Sequence, residues 1–205
     1  MNPCLNLSVI SEKFKKRITK LHVDAKSNPD KIERYCIFAI SQLNNFLRAH
    51  LLSIRLGAVN SRNIALSYPV TYLSDDQIID EFIHQGYPGK WKSGKVGTWS
   101  LKDEPAFHTT RVFLCIVSKL HPTNEPNIQT ALIDSWKIDV LREARNYFAH
   151  RSIYTEKNAV AKSSQHYTVG AVRATEVLFQ YDATIASTVL DDIHNYLLSF
   201  ADDIS

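Results

Sequence analysis

The sequence predicts an all-α protein: a bundle of four to six helices with an irregular insertion rich in Gly, Lys and Trp. Two observations support this class. Long stretches lack Gly and Pro and repeat apolar residues every three or four positions, and segments rich in Gly, Pro and Asn separate them. The 205 residues suit one domain. We expect the bundle over about 28–57 and 126–204, a basic N-terminal helix over 11–25, and the insertion over 58–125.

The clearest helix covers residues 30–57. Pro29 and Asp30 are typical of a helix start, Gly57 is typical of a stop, and neither Gly nor Pro lies between. The apolar positions have the spacing of a helix that faces a core. They are Ile32, Tyr35, Cys36, Ala39, Ile40, Leu43, Phe46, Leu47, Leu51 and Ile54.

The elements on either side are less regular. We expect a lysine-rich helix over residues 11–25 and an irregular segment over 58–74. Residues 74–86 predict a short helix that Ser74 caps, because acids follow in its first turn. Residues 104–120 fit either a helix or a strand, since their β-branched and aromatic content allows both.

The loop over 86–102 combines four glycines, four lysines and two tryptophans with no acidic residue. Cations beside aromatic rings are the combination that single-stranded RNA binding uses. We expect RNA contacts from Lys90, Trp91, Lys92 and Lys95. The alternative is a surface loop whose tryptophans pack against the protein and whose lysines only face solvent.

The C-terminal part predicts helices over about 128–136 and 137–149, which the sequence leaves either separate or continuous. Residues 151–170 are expected to be irregular. A last amphipathic helix is expected over 182–203, because apolar residues recur there at helical spacing.

Composition restricts the functional classes. The net charge is only +3, so a nucleic-acid partner must be argued from local clusters. Cys4, Cys36 and Cys115 are far apart, which argues against disulfides and indicates a reducing compartment. No His-x-x-x-His pair or close Cys/His set occurs, so we expect no metal and no cofactor. Without a signal peptide or an apolar run of about 20 residues, we expect a cytoplasmic protein with no membrane partner.

One short stretch, "REARNYFAHRS" over 142–152, carries a cluster of polar groups. On a helix over 136–150, its arginines Arg142 and Arg145 share one arc with Asn146 and His150. Arg145 and His150 are about 140° apart on an ideal helix. One such face is shallow, but two that meet across a twofold axis would form a cleft suited to a phosphodiester, with arginines for phosphate and histidines for protons. The alternative is the polar face of an ordinary helix, since a helix C-terminus favours Arg and His.

The segment from Arg145 to His150 resembles the Arg-x4-His signature of the HEPN family (higher eukaryotes and prokaryotes nucleotide-binding). The resemblance covers roughly 28–57 and 126–204 and includes the helix order. It implies a metal-independent RNA endonuclease that acts as a homodimer, typically a toxin or an antiviral-defence effector, with an antitoxin or sensor protein encoded nearby. The alternatives are a HEPN-like module that binds nucleotides or proteins without catalysis, and a regulator that holds a nuclease.

The resemblance also implies residue roles. His150 would transfer the proton, Arg145 would bind the scissile phosphate, and Asn146 would orient either the phosphate or the histidine. The 2′-OH of the RNA would attack, which leaves a 2′,3′-cyclic phosphate and a 5′-OH. To these we add Arg142 and Arg151 as contacts to neighbouring phosphates. In HEPN toxins whose antitoxin modifies a tyrosine, the motif continues as His-x-Tyr. Here Arg151 and a serine follow His150. This difference argues against neutralisation by tyrosine modification.

Overall fold

The computed structural model describes residues 1–170 and 173–205, and helices dominate it. This part of the chain contains nine α-helices, one 3₁₀ helix and one antiparallel hairpin, which confirms the all-α class. The helices are α1 (Leu7–Ser27), α2 (Ile32–Arg55), α3 (Asp75–Gly86), α4 (Thr110–Leu120), α5 (Glu125–Ala131), α6 (Trp136–His150), α7 (Ile153–Ser164), α8 (Ala174–Val177) and α9 (Val189–Asp203). The 3₁₀ helix is Pro29–Lys31, and the strands are β1 (Tyr181–Asp182) and β2 (Ser187–Thr188). None of the described helices combines the length and the apolar character that crossing a membrane requires.

The described part of the chain divides into two compact units. The first unit contains Met1–Lys13, Leu43–Leu132 and Asp202–Ser205, and the second contains Phe14–Gln42 and Ile133–Ala201. The expected insertion 58–125 therefore lies wholly in the first unit. Most of the basic helix α1 belongs to the second unit, together with the first part of α2.

In the first unit, α3 packs against α4, and α4 packs against α5. The rings of Phe82 and Phe107 meet edge to face with their centroids 5.5 Å apart, an arrangement that aromatic pairs favour. The guanidinium of Arg48 forms a bidentate ion pair with Glu104, at 2.5 and 2.8 Å. The contacts of Glu104 and Phe107 hold the C-terminal part of the irregular segment between α3 and α4.

In the second unit, α6 packs against α7 and α8, which also pack against each other. The Trp136 ring stacks on His166, with centroids 4.3 Å apart. The Asp192 carboxylate accepts from Lys137 at 2.9 Å and from the Tyr167 hydroxyl at 2.8 Å. These contacts fix the start of α6, the helix that carries the Arg-x4-His segment.

Several predicted elements are confirmed with small shifts at their ends. Helix α2 occupies the predicted stretch, and Gly57 follows it with a φ of +72°, a backbone conformation that glycine adopts most readily. Ser74 caps α3 through a capping box with Gln77. The 104–120 segment is a helix, but it begins at Thr110 rather than near Pro105.

Two predictions for the C-terminal part are wrong. Residues 153–164, expected to be irregular, form α7, which begins with a capping box between Ser152 and Thr155. Periodicity missed this helix because only Ala159 and Ser163 are buried on it. The last helix begins at Val189 rather than near residue 182, because 181–188 forms the β1–β2 hairpin.

Candidate functional site

The Arg-x4-His segment lies on α6, and packing determines which side of the helix faces solvent. The buried positions are Ile138, Val140, Leu141, Ala144 and Phe148. Four of these side chains fill one face of the helix, so the polar arc predicted from the sequence remains on the accessible side. Ile138 is the exception, because it lies in the first turn at an angle between those of Arg145 and Arg142. Arg142, Arg145 and Asn146 are half-buried, and His150 is exposed. The structure therefore brings the motif residues to one accessible arc.

Arg145 is the motif residue whose charge is most available. One of its guanidinium nitrogens, Nη1, donates to Oδ1 of Asn146 at 3.3 Å, a long hydrogen bond. Within residues 1–170 and 173–205, no carboxylate forms an ion pair with this guanidinium. Its positive charge can therefore be offered to an anion from outside the chain.

The other two arginines near the motif have carboxylate partners. Arg142 contacts Asp139 at 2.8 Å and Glu143 at 3.5 Å on the same helix. Arg151 pairs with Glu33, in the first turn of α2. Both were predicted to bind neighbouring phosphates, and both would have to exchange a carboxylate for a phosphate to do so.

His150 is the last residue of α6, at a sharp junction between two helices. Arg151 follows in a left-handed conformation, with a φ of +42°, and its N–H donates to the Tyr147 carbonyl at 2.6 Å. Ser152 then caps α7. The imidazole thus lies at an exposed corner of the chain, and no protein hydrogen bond engages it within the described residues. The imidazole is therefore accessible to a molecule from outside the chain.

Two large apolar side chains lie directly beside this corner. Ile153 is 75% exposed and Tyr154 is 73% exposed. They stand on the first turn of α7, three and four residues after His150. The two side chains form a small apolar patch beside the polar cluster.

The loop over 86–102 belongs to the first unit, whereas α6 belongs to the second. Both of its indole N–H groups donate to the same carboxylate: Trp91 to Oδ2 of Asp80 at 3.0 Å, and Trp99 to Oδ1 at 2.6 Å. The Trp91 ring also stacks on His84, with centroids 4.3 Å apart. The alternative in which tryptophans pack onto the protein therefore describes Trp91 well.

Around this loop the sequence-based prediction overlooked Asp80. Asp80 is a buried acid on α3, between the buried Ile78 and Phe82. An acid among apolar helix positions needs donors, because burial of an unpaired carboxylate is costly. An acid at an apolar position of a predicted helix could therefore have indicated that Asp80 accepts hydrogen bonds from the nearby tryptophans. Lys102 and Trp99 line one pocket with the predicted Lys90, Lys92 and Lys95.

Among residues 1–170 and 173–205, no three His, Cys, Asp or Glu side chains are grouped as a metal ion would require. No protein-family model matches the chain, and comparisons with curated proteins and with solved structures found no match either. The side chains of α6 and of the loop over 86–102 are therefore the features of the chain that indicate its function.

Proposed function

We propose that this protein is a metal-independent RNA endonuclease of the HEPN Arg-x4-His type that acts as a homodimer. We further propose a role as a toxin or an antiviral-defence effector. One observation carries the proposal: of three arginines on or beside the motif, the one with no carboxylate partner in the described chain is Arg145, to which the motif assigns the phosphate. The accessible His150 supports it.

The proposed reaction is transesterification. The imidazole of His150 accepts the proton of the ribose 2′-OH, and the 2′-oxygen bonds to phosphorus as the bond to the 5′-oxygen breaks. The proton is returned to the 5′-oxygen, which leaves a 2′,3′-cyclic phosphate and a 5′-OH. Arg145 offsets the charge that builds on the phosphate oxygens in the transition state. Asn146, which already accepts from Arg145, holds the guanidinium in place.

A second copy of the chain completes the proposed site. One arc offers one guanidinium and one imidazole, whereas base and acid roles in the same step are best served by two imidazoles. Twofold pairing of the α6 corners supplies both. The exposed Ile153 and Tyr154 support pairing at this corner, because a second copy would cover them. We expect a dimer in solution by light scattering, and a shift to monomer with loss of cleavage for Ile153→Glu.

The decisive experiment incubates purified protein with RNA in the presence of EDTA. Cleavage is expected with the wild type and is expected to be lost in His150→Ala and in Arg145→Ala. His121→Ala and Arg111→Ala are matched controls, since each removes an exposed side chain of the same type in the first unit. Cleavage that persists in both motif variants, or that requires a divalent metal, would refute the proposal.

The chemistry of the products gives a second, independent test. A substrate with a single 2′-deoxy position at the cleavage site should resist cutting at that bond. Mass spectrometry should find a cyclic phosphate on the upstream fragment. A linear 3′-phosphate as the first product, or cleavage of the deoxy linkage, would mean that water and not the 2′-OH attacks.

A non-catalytic HEPN-like binding module is the second candidate. It is favoured by the ion pairs of Arg142 and Arg151, which reduce the positive charge around the motif. For this candidate, RNA binds without being cut, and expression of the wild type does not arrest growth. A growth arrest that His150→Ala relieves favours the nuclease.

A further inference from the structure

The loop over 86–102 forms a pocket that is separate from the motif on α6 in sequence and lies in the first unit. Its volume is about 510 Å³, within the range of roughly 300–1,000 Å³ that is typical of small-molecule sites. The lining residues with chemistry are Lys90, Lys92, Lys95, Lys102, Trp99 and Asp103. Four lysines and one aspartate give this lining a net charge of +3 (four minus one). The net charge of the pocket lining thus equals the formal net charge of the whole chain, which is also +3.

The four ammonium groups are available to a ligand. All four lysines are exposed, and none forms an ion pair with a carboxylate within the described residues. Lys90 lies over the Tyr87 ring, 4.8 Å from its centroid, which leaves its donors free. Oδ2 of Asp103 accepts from the amide and the hydroxyl of Ser100, at 3.0 and 2.6 Å. The one acid of the pocket is therefore partly occupied within its own turn.

The aromatic wall of the pocket is held in place. Because the Trp99 indole N–H donates to the buried Asp80 at 2.6 Å, the ring is fixed by its edge while it lines the pocket. Trp91 shares this carboxylate but does not line the pocket. Gly94 and Gly97, at φ values of +77° and +78°, provide the turns that bring the lysines around Trp99. A fixed aromatic wall loses little entropy when a ring stacks on it.

We propose that this lysine pocket binds a nucleotide, with its phosphates on the lysine ammonium groups and its base against Trp99. Several adjacent cations suit a polyphosphate or a phosphodiester chain, and a fixed indole suits an unpaired base. Two sources share this chemistry: a free nucleoside triphosphate and an unpaired nucleotide of an RNA strand. The proposal goes beyond RNA cleavage and does not depend on it.

The test measures binding by fluorescence anisotropy, with labelled ATP and with a labelled, 2′-O-methylated oligouridylate of about eight nucleotides. The full chain carries Arg145→Ala and His150→Ala in every sample, so that binding is read without the motif and without cleavage. A stronger signal with the oligonucleotide identifies a strand as the ligand, and binding of ATP that is at least as strong identifies a free nucleotide. Absence of binding of both probes at millimolar concentration overturns the proposal.

Four variants localise the binding. Lys92→Gln/Lys95→Gln is expected to weaken it about ten-fold at low salt, and to lower the magnitude of the salt slope by roughly 0.7 per lysine for a single strand. Trp99→Leu is expected to weaken it about five-fold or more. Trp91→Leu is the matched control, because it also removes one hydrogen bond to Asp80. Lys119→Gln, on α4, is the charge control and lies outside the pocket.

Wild-type affinity in the double-lysine variant would overturn the phosphate contacts. An equal loss in Trp91→Leu and Trp99→Leu would overturn base stacking, because the effect would then come from the Asp80 anchor. Circular dichroism checks that each variant is folded. Should Trp99→Leu not fold, the exposed lysine positions alone decide the outcome.

Discussion

Acidification should destabilise this protein through two buried histidines. His50 accepts a hydrogen bond from Asn124 at 3.2 Å, and burial lowers its pKa from 6.5 to about 3. His194 stacks on His22 with ring centroids 3.9 Å apart. Burial, and secondly the neighbouring His22, lower the pKa of His194 from 6.5 to about 4. Burial also lowers the pKa of His22, against the opposing effect of Asp191.

Proton linkage determines whether acid raises or lowers the free energy of unfolding. The folded-state pKa values lie below 6.5, so the unfolded chain binds more protons as the pH falls below that value. The contribution to stability is therefore complete above about pH 7 and is lost toward pH 4. At pH 5, His50 and His194 each lower the free energy of unfolding by about 2 kcal/mol relative to neutral pH, or by about 4 kcal/mol together. That is a large share of the roughly 5–15 kcal/mol that stabilises a typical domain.

The measurement is urea unfolding at pH 8 and pH 5, followed by tryptophan fluorescence. From pH 8 to pH 5, we expect the free energy of unfolding to fall by about 4 kcal/mol in the wild type. In His50→Gln or His194→Gln it should fall by only about 2 kcal/mol, because one of the two histidines is gone. The exposed His121→Gln variant should lose as much as the wild type. An acid loss that is the same in His50→Gln and in the wild type would refute the reasoning, because the difference between the two pH values cancels any general effect of the substitution.

Three further predictions concern α6. Mixing subunits that carry Arg145→Ala with subunits that carry His150→Ala should restore part of the cleavage, because the mixed dimer brings a guanidinium from one subunit and an imidazole from the other to the shared site, although it lacks the second imidazole; a mixture as inactive as its parents would contradict a shared site. Leu141→Ala should lower the free energy of unfolding by about 2–5 kcal/mol in urea titrations, since the side chain is fully buried; a loss below about 1 kcal/mol would show a poorly packed helix. Glu33→Gln should raise RNA affinity a few-fold by releasing Arg151, as measured by anisotropy with uncleavable RNA; unchanged affinity would remove Arg151 from the contacts.

Part of the candidate site was predictable from the sequence. The spacing in 136–150 places the apolar face and the polar arc of α6 correctly, because helix geometry alone sets which residues share a side. The pairing of Arg142 with Asp139 is also local, since residues three apart meet on a helix. Apolar spacing failed for α7, because few side chains of this helix are buried. The helix begins with a capping box and packs against α6 and α8.

The sequence by itself determined the helical class, the main helices and the face on which the motif lies, because caps and apolar spacing act within a few residues of the chain. The tertiary structure decided which charges remain available. Glu33 engages Arg151 across 118 positions of sequence, and Asp80 holds Trp99 from 19 positions away. Such pairs form only when packing brings distant segments together, so no local pattern distinguishes a neutralised arginine from a free one.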